Sequence, residues 1–426
     1  MTFTGFYKKT RKERIEILKN LNLISDEHSH ELLENITLDV DVAGNMTENH
    51  IATFALPFGI VPQILVNNKE YSLPMVTEEP SVVAAASNAS KIIAKSGGFE
   101  TKILDRKMIG QIALYDVENF EQATSKIEEN NLYLLQIANE AHPSIVKRGG
   151  GACDISWKIL EDDEVKFLVV YLTVDVKEAM GANILNNMLE AIKPYLENLT
   201  NSYALMAILS NYATKSLVTA SCKIKIQHID KDIEKAKEIA KKIELASKFA
   251  KLDPYRAATH NKGIFNGIDA LVIASGNDWR AVEAACHTYA TRNGTYEGLS
   301  TWIFNKNENI LSGEITLPMP IASVGGSIGL NNSVKISHEI LGNPDAKTLA
   351  SLITALGLAQ NFAALKALVS VGIQQGHMKL HAKSLALLAG AKAEEVEIIA
   401  EKLQESKHMN LETAKLLIKE NKEKIK

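Results

Sequence analysis

The most apolar stretch of the chain, "SLITALGLAQNFAALKALVSVGI" (residues 351–373), decides how the rest of the sequence is interpreted. It is long enough for a helix to cross a bilayer, but Gln360, Asn361 and Lys366 interrupt it. A helix that is apolar on nearly all sides is also typical of the interior of a large domain. We therefore predict a buried central helix, or a helix at a subunit interface, in a protein without a membrane span.

The composition indicates a globular protein large enough for several domains. The 426 residues are 46% hydrophobic and carry a formal net charge of −4, which provides no basic surface for a nucleic-acid partner. Cys153, Cys222 and Cys286 have no paired spacing, so they favour a reducing compartment over a disulfide framework. The first residues are polar and basic, unlike a signal peptide, and we predict a cytoplasmic protein.

Strand and helix patterns alternate through residues 105–220. "KMIGQIALYDV" and "VKFLVVYLTVDV" are rich in β-branched and aromatic residues, which predicts two strands with helical segments between them. "KEAMGANILNNMLEAIKPYLENL" predicts a helix that ends near Pro194. We expect a compact α/β subdomain in which helices cover a sheet.

Residues 76–92, "VTEEPSVVAAASNASKI", place two carboxylates before a proline and a run of small residues. Pro80 suits the first turn of a helix, and acidic side chains there are stabilised by the helix dipole. One interpretation of Glu78 and Glu79 is therefore an acidic helix cap. The other is that one glutamate donates a proton beside an apolar surface, where desolvation raises its pKa.

Polar residues are concentrated in "YRAATHNKGIFNGIDALVIASGNDWRAVEAACH", residues 255–287. The segment "IDALVIASG" within it is typical of a buried strand, which places Asp278 just after a strand end, where α/β proteins often bind ligands. Lys262 stands among glycine and apolar residues, and a partly buried lysine needs an acidic partner such as Asp278. This pattern fits a structural salt bridge and a functional pair equally well.

The segment "GHMKLH" (376–381) and two glycine turns are the remaining candidate motifs. His377 and His381 share a helix face at a spacing that can bind zinc, but a glutamate and a third ligand are missing from the pattern, so we predict no metal. A histidine that exchanges protons near neutral pH is favoured. The turns "EAMGAN" and "VGGSIG" are either tight turns or places where the backbone approaches a phosphate.

Eight segments, in order along the chain, resemble the hydroxymethylglutaryl-coenzyme A (HMG-CoA) reductase family, specifically its soluble class II bacterial form. They are "ENHIATFALPFGI" (48–60), "EEPSVVAAAS" (78–87), "EAMGAN" (178–183), "HNKGIFNG" (260–267), "GNDWRAVEA" (276–284), "LPMPIASVGGSIG" (317–329), "GLAQN" (357–361) and "GIQQGHM" (372–378). The resemblance implies reduction of HMG-CoA to mevalonate by two hydrides from NADPH or NADH, with release of coenzyme A.

The resemblance also implies roles for individual residues. Glu79 would supply a proton to the reduced oxygen, and Lys262 would stabilise the negative charge on that oxygen. Asp278 would order a hydrogen-bonded network with both, and His377 would protonate the departing thiolate. The implied substrate-binding residues are Ser81, Arg256, Asn266 and Gln360, and the implied cofactor-binding residues are Met180, Gly181 and Asn183.

The architecture implied by the resemblance is α+β, with a large mixed domain around a central helix. Residues 1–107 and 219–374 would bind the acyl-CoA. An inserted small α/β domain of ferredoxin-like type, residues 108–218, would bind NAD(P)H. A mobile helical flap, residues 375–426, would carry His377 to the site, and active sites would form between the subunits of at least a homodimer.

Two departures from the family pattern leave details open. Glu178 stands where the family has the aspartate of Asp-Ala-Met-Gly, and His50 alters the segment expected to contact coenzyme A. Glu140 and the Lys147–Arg148 pair offer both a ribose partner and a phosphate partner, so NADH and NADPH both fit. The alternatives are oxidation of mevalonate with NAD in catabolism, or a non-catalytic relative that binds coenzyme A or a nucleotide.

Overall fold

The computed structural model describes residues 2–36, 38–326, 328–370, 373–392, 394–406 and 408–424, and of residues 373–380 and 422–424 it describes only the backbone. Strands in these ranges are β1 (Phe58–Val66), β2 (Lys69–Val76), β3 (Phe99–Ile103), β4 (Lys107–Tyr115), β5 (Gly151–Glu161), β6 (Lys166–Asp175), β7 (Tyr203–Ser210), β8 (Leu217–Lys225), β9 (Ser300–Asn305) and β10 (Ile310–Pro318). Helices are α1 (Arg11–Asn20), α2 (Asp26–Glu34), α3 (Val40–Met46), α4 (Val82–Ala94), α5 (Phe120–Glu129), α6 (Asn131–Ala141), α7 (Pro143–Lys147), α8 (Ala182–Thr200), α9 (Ile233–Leu252), α10 (Pro254–Ala274), α11 (Trp279–Tyr289), α12 (Asn332–Ile340), α13 (Ala346–Val369), α14 (Ile373–Leu388), α15 (Val396–Glu405) and α16 (Leu411–Lys424).

The larger sheet has the strand order β2-β1-β3-β8-β10-β9. Neighbouring strands are antiparallel except β1 and β3, which are parallel. Strand β8 buries every second side chain, including Val218, Ala220 and Ile224, as expected for a strand with one face against the core. This sheet and the helices on it form the largest hydrophobic core.

Helix α13 is the central helix predicted from its composition. It packs against α10, α4, α9 and strands β8 and β10, and its side chains from Leu349 to Phe362 are almost all buried. By length and hydropathy it is also the one helix in the described part of the chain that is apolar enough to cross a membrane, with 67% of its most apolar window buried inside the protein. The prediction of a buried central helix is confirmed.

A smaller sheet has the strand order β5-β6-β4-β7. Its four strands are inserted in the sequence between β3 and β8, which are themselves neighbours in the larger sheet. All its neighbouring strands are antiparallel, and the chain passes through them as strand–helices–strand–strand–helix–strand, which is the ferredoxin-like arrangement. Its helices and sheet enclose a separate hydrophobic core. Helix α8 continues to Thr200, so the predicted end near Pro194 is wrong and the proline lies inside the helix.

Two local predictions near the candidate site are also wrong. The segment "IDALVIASG" is the end of helix α10 and the turn after it, and it is not a strand. A short apolar run buried on most sides cannot be assigned to helix or strand by periodicity alone. Helix α4 begins at Val82, so Pro80 and both adjacent glutamates belong to the preceding loop and not to a first helical turn.

The last three helices pack together. Side chains of α14, α15 and α16, among them Leu385, Ile399 and Ile418, form a small core of their own. Helix α14 also contacts the end of α13. The C-terminal region is therefore helical, as predicted, and has its own packing.

Candidate active site

Three segments meet around a cavity of about 380 Å³ that holds much of the predicted site. Helix α10 contributes Lys262, Asn266 and Asp269, whose spacing of four and three residues places them on one helix face. Helix α11 and the loop between β2 and α4 form the other walls. The complete lining is Val76, Thr77, Glu78, Glu79, Lys262, Phe265, Asn266, Asp269, Ala270, Ile273, Trp279, Glu283 and His287.

Glu79 and Lys262 form an ion pair at the mouth of this cavity. The Lys262 ammonium donates to Glu79 Oε2, and Asn266 Nδ2 donates to Glu79 Oε1 at 3.4 Å. The two charged side chains are 62% and 34% exposed, for Lys262 and Glu79 respectively. An ion pair this exposed contributes little to folding stability. Because it is exposed, it is also accessible to a ligand in the cavity.

The loop that carries Glu79 is held in an unusual backbone conformation. Ser81, the residue before helix α4, has a φ of 76°, in the left-handed region that costs a non-glycine residue about 1–2 kcal/mol. Its hydroxyl oxygen is buried and has no hydrogen-bond partner among the described residues. Strain and an unpaired hydroxyl beside Glu79 are features of a ligand-binding loop.

Asp278 does not join the ion pair in the described protomer, contrary to the predicted network. Its carboxylate caps helix α11 by accepting from the backbone N–H groups of Arg280 and Ala281, at 3.0 and 3.2 Å. It also pairs with the Arg280 guanidinium. The spacing between Lys262 and Asp278 in sequence suggested a partnership, but α10 continues past the expected strand and the following turn directs Asp278 elsewhere.

Asp269, Glu283 and His287 line the cavity and were missed by the sequence analysis. Burial and the nearby carboxylates of Glu283 and Glu78 raise the pKa of Asp269 to about 8, while Lys262 opposes the shift. His287 stacks on Phe265 with ring centroids 4.7 Å apart, and burial lowers its pKa. Helical spacing from Asn266 could have found Asp269, which the incorrect strand prediction concealed. Glu283 and His287 lie beyond that segment on α11, where their spacing of four residues puts them on one face.

Arg256 and Gln360 are not among the residues that line this cavity. Arg256 stands in the first turn of α10, where burial lowers the pKa of its guanidinium. Gln360 is buried on α13, and its side-chain oxygen has no hydrogen-bond partner among the described residues. Their predicted contacts with the substrate stay predictions.

Met180, Gly181 and Asn183 surround the start of helix α8 in the small sheet's domain. Gly181 precedes the helix with a φ of 102°, and a Cβ there would lie 2.4 Å from Val176 Cγ1, so only glycine fits. Asn183 is exposed in the first turn. A 19-residue helix that is entered through a glycine and has Asn183 exposed in its first turn is suited to an anionic phosphate.

Glu178 anchors this glycine turn to the large sheet's side of the molecule. Its carboxylate accepts from Ser323 Oγ at 2.5 Å and from the backbone N–H of Ala346, at the start of α13, at 2.7 Å. Arg106 is buried beside it and donates to the carbonyl of Ala179 at 3.2 Å. The Glu178 carboxylate therefore lies at the N-terminus of α13.

His377, the predicted proton donor to the thiolate, lies on helix α14. The His377 side chain lies outside the described residues, although the backbone of α14 is helical around it. Within the described ranges, the structure contains no group of three or more His, Cys, Asp or Glu side chains arranged to hold a metal ion.

Comparison of the chain with known sequences gives a consistent family. The sequence profile of hydroxymethylglutaryl-coenzyme A reductase matches residues 10–382. The 3-hydroxy-3-methylglutaryl-coenzyme A reductase of Archaeoglobus fulgidus is 43% identical over 411 residues, which are 96% of this chain and 92% of that protein. The probable 3-hydroxy-3-methylglutaryl-coenzyme A reductase of Borreliella burgdorferi is 34% identical over 349 residues, 81% of this chain and 78% of that protein.

Solved structures show the same similarity in three dimensions. The 3-hydroxy-3-methylglutaryl-coenzyme A reductase of Streptococcus pneumoniae is 57% identical, with a TM-score of 0.86 over 99% of this chain and 100% of that chain. A structure of the class II enzyme from the same organism, bound to NADPH in open conformations, is 56% identical, with a TM-score of 0.85 over 87% of this chain and 100% of that one. On both the sequence and the structure, the chain belongs to the hydroxymethylglutaryl-coenzyme A reductase family.

Proposed function

We propose that this chain reduces HMG-CoA to mevalonate and coenzyme A, using two molecules of NADPH, in the mevalonate pathway of isoprenoid synthesis. The observation that carries the proposal is the exposed Glu79–Lys262 ion pair at an open cavity, on a fold shared with HMG-CoA reductases. The chain keeps all four implied catalytic residues, Glu79, Lys262, Asp278 and His377. A relative that only binds coenzyme A or a nucleotide would not need them.

The chemistry places a different demand on each side chain. A hydride from the nicotinamide adds to the thioester carbonyl in the first step and to the aldehyde carbonyl in the second, so negative charge develops on oxygen twice. The Lys262 ammonium stabilises that charge, an effect that is strongest where water is excluded. Glu79, held by Lys262 and Asn266, supplies the proton that turns the alkoxide into an alcohol. His377 is assigned the protonation of the coenzyme A thiolate.

Ser81 and the cation Arg256 are assigned to the substrate, together with Asn266 and Gln360. The Ser81 hydroxyl and the Gln360 side-chain oxygen have no partner among the described residues, which supports this assignment, because buried polar atoms in native proteins usually have partners. Arg256 suits the distant carboxylate of the substrate, since a guanidinium binds carboxylates through two hydrogen bonds. Asp278 is assigned a place in the same network once substrate and a second subunit are present.

The domain with the ferredoxin-like sheet, residues 108–218, is assigned to the cofactor, and residues 1–107 and 219–374 to the acyl-CoA. Gly181 and the N-terminus of α8 fit the anionic groups of a dinucleotide, with Met180 and Asn183 beside them. NADPH is favoured because the S. pneumoniae class II enzyme has been solved with it bound. Lys147 and Arg148 are both exposed and suit the additional phosphate.

We assign the working unit to a homodimer, and the C-terminal helices from residue 375 to a flap that closes on the site. The exposure of Lys262 and of the flanking aromatic residues Trp279 (42%) and Tyr255 (88%) supports this, because in the protomer alone the site is open to water. Sedimentation velocity over a range of concentrations should show a dimer and no monomer. A stable, fully active monomer would contradict the assignment. The three free thiols fit the reducing cytoplasm as its location.

The decisive experiment measures oxidation of NADPH and of NADH by their absorbance in the presence of HMG-CoA. We expect NADPH oxidation that depends on HMG-CoA and a loss of at least ~10³-fold in kcat for Lys262→Ala, because the ammonium acts on the transition-state charge. Lys91→Ala, which removes an exposed lysine from α4, is the matched control and should retain full activity.

Oxidation of neither nucleotide would defeat the reductase assignment. Strong NAD reduction with mevalonate and coenzyme A, combined with weak NADPH oxidation, would instead favour the catabolic direction. An unchanged rate for Lys262→Ala would defeat the mechanism while leaving the reaction intact.

A further inference from the structure

Asp269 on α10 and Glu283 on α11 line the same cavity. Their carboxyl groups lie within hydrogen-bonding reach of each other. Asp269 Oδ1 is buried and accepts no hydrogen bond from any donor in the described part of the chain. Two neighbouring carboxylates in a poorly hydrated cavity repel each other, and a proton held between them removes that repulsion.

The balance of charge in the cavity points the same way. Its lining contains the four carboxyl groups of Glu78, Glu79, Asp269 and Glu283, and Lys262 is the only lysine or arginine among the lining residues. Each ionised carboxyl opposes the build-up of negative charge on a reacting oxygen, and such opposition is strong where the site is poorly hydrated. A retained proton removes one of these negative charges without removing a side chain.

We propose that Asp269 and Glu283 share one proton at neutral pH, and that Asp269 is thereby a positioning residue for the reduction, acting through Lys262. A neutral Asp269 leaves the Lys262 ammonium directed at Glu79 and the substrate oxygen, whereas an ionised Asp269 competes for it. This inference rests on the proposed function, because it assigns the cavity to reduction of a carbonyl group.

All the titratable groups that face Asp269 are consistent with this arrangement. They are Lys262 on its own helix, Glu78 and Glu79 on the loop before α4, and Glu283, Cys286 and His287 on α11. Burial and the like charges of Glu283 and Glu78 raise the pKa of Asp269 to about 8. Burial raises the pKa of the Cys286 thiol and lowers the pKa of His287, so neither changes charge between pH 7 and pH 9. Asp269 is therefore the group whose pKa is raised into that range.

The test is the pH dependence of kcat/KM for reduction of the aldehyde intermediate, a substrate from which no thiolate leaves. A group with a pKa of about 8 is about 90% protonated at pH 7 and about 10% at pH 9, so the wild-type value should fall about tenfold over that interval. Asp269→Asn and Glu283→Gln should each reduce this fall to less than about threefold. In the first variant the titrating carboxyl is absent, and in the second Asp269 has lost the neighbour that raises its pKa.

Glu78→Gln is the matched control, because it removes a carboxylate from the same cavity at an exposed position outside the pair. It should keep the alkaline fall, moved slightly toward lower pH. An alkaline fall that survives in both Asp269→Asn and Glu283→Gln would overturn the proposal, as would its loss in Glu78→Gln alone.

Infrared spectroscopy supplies a readout that does not depend on turnover. The wild-type protein should show the band of a protonated carboxyl at pH 7, the band should fall to about a tenth of that intensity by pH 9, and Asp269→Asn should lack it at both. Absence of the band from the wild type at pH 7 would overturn the shared proton even if the enzyme is active. Wild-type protein that shows the band but reduces neither HMG-CoA nor the aldehyde would instead defeat the proposed function.

Discussion

The two sides of helix α10 carry polar residues of similar kinds in very different surroundings. His260 and Asn261 face inward and are at most 2% exposed, whereas the next residue, Lys262, faces the cavity and has a side chain that is 62% exposed. On the inner side, both polar ends of the Asn261 amide bond to backbone groups, at 2.8 and 2.9 Å. On the cavity side, Asn266 has a single contact at 3.4 Å.

The inner side belongs to a buried network that joins three elements. Asn361 Oδ1, on α13, accepts from Ser300 Oγ and from Trp302 Nε1, both at 2.8 Å. His260 Nε2 lies 2.7 Å from the same Ser300 hydroxyl. Polar groups with near-ideal partners hold the fold together, while polar groups with long or missing partners remain available to a ligand. We infer that the segment "HNKG" (260–263) combines structural and functional residues within one helical turn.

The largest expected effect comes from removing one asparagine from the buried network, Asn361 on α13, and one from the cavity side of α10, Asn266. Asn361→Ala should lower the free energy of unfolding by about 3 kcal/mol, because it leaves the Trp302 indole N–H and the Ser300 hydroxyl buried without their acceptor. Asn266→Ala should change it by less than about 0.5 kcal/mol but reduce kcat/KM about tenfold. Urea unfolding and the NADPH assay measure both quantities, and equal stability losses for the two variants would refute the division of α10 into two sides.

His260, on the inner side of α10, should make the stability of the protein sensitive to acid. Burial, with help from the charges of Arg256 and Lys251, lowers the pKa of His260 to about 3. The unfolded chain, with a histidine pKa near ~6.5, therefore binds a proton that the folded protein does not take up, and stability falls as the pH drops from about 6.5 toward 3. This residue should cost about 2 kcal/mol of stability between pH 7 and pH 5.

His260→Gln should remove that share of the acid sensitivity, even though the variant is less stable at pH 7. His30→Gln, at an exposed position, is the control and should leave the pH dependence of unfolding unchanged. The measurement is the urea midpoint at pH 5, 6 and 7. A His260→Gln protein as acid-sensitive as the wild type would show that the inner histidine is not buried in its neutral form.

The sequence was sufficient to predict the features that depend on composition. Helix α13 was recognised because its apolar character is continuous, and the small sheet because its strands carry β-branched residues in short runs. The Glu79–Lys262 pair was expected from family resemblance, since 183 positions separate the two residues and only the fold brings them together. Local patterns carry no information on such distant partners.

The prediction that failed near the site is the strand at residues 268–276, which are the end of helix α10 and the turn after it. Residues 268–274 are apolar on nearly every side because α13 and β2 cover α10, so the helical period is hidden. The segment is helical, and the turn after it makes Asp278 the cap of α11. The same error concealed Asp269, whose position one turn after Asn266 is evident once the segment is helical.

The smallest effects come from two glycines four residues apart on the same face of α10, which differ in how closely α13 approaches them. A Cβ at Gly267 would lie 3.1 Å from Gln360 Cβ and 3.2 Å from the carbonyl oxygen of Leu356, so the two helices are closest there. A Cβ at Gly263 would meet only Ala364 Cβ, at an ordinary 3.9 Å. Gly263→Ala should therefore stabilise the protein by about 0.5–1 kcal/mol, the normal gain of alanine over glycine inside a helix.

Gly267→Ala should reverse that gain and destabilise the protein by about 1 kcal/mol, because neither a backbone carbonyl nor a Cβ atom can move aside cheaply. The reciprocal contact supports this, since a Cβ at Gly357 of α13 would lie 2.9 Å from Ile268 Cγ1. Thermal unfolding of the two variants in parallel measures the difference. Equal shifts in the same direction would mean that α10 and α13 have room to separate. The close packing of the two helices would then not depend on Gly267.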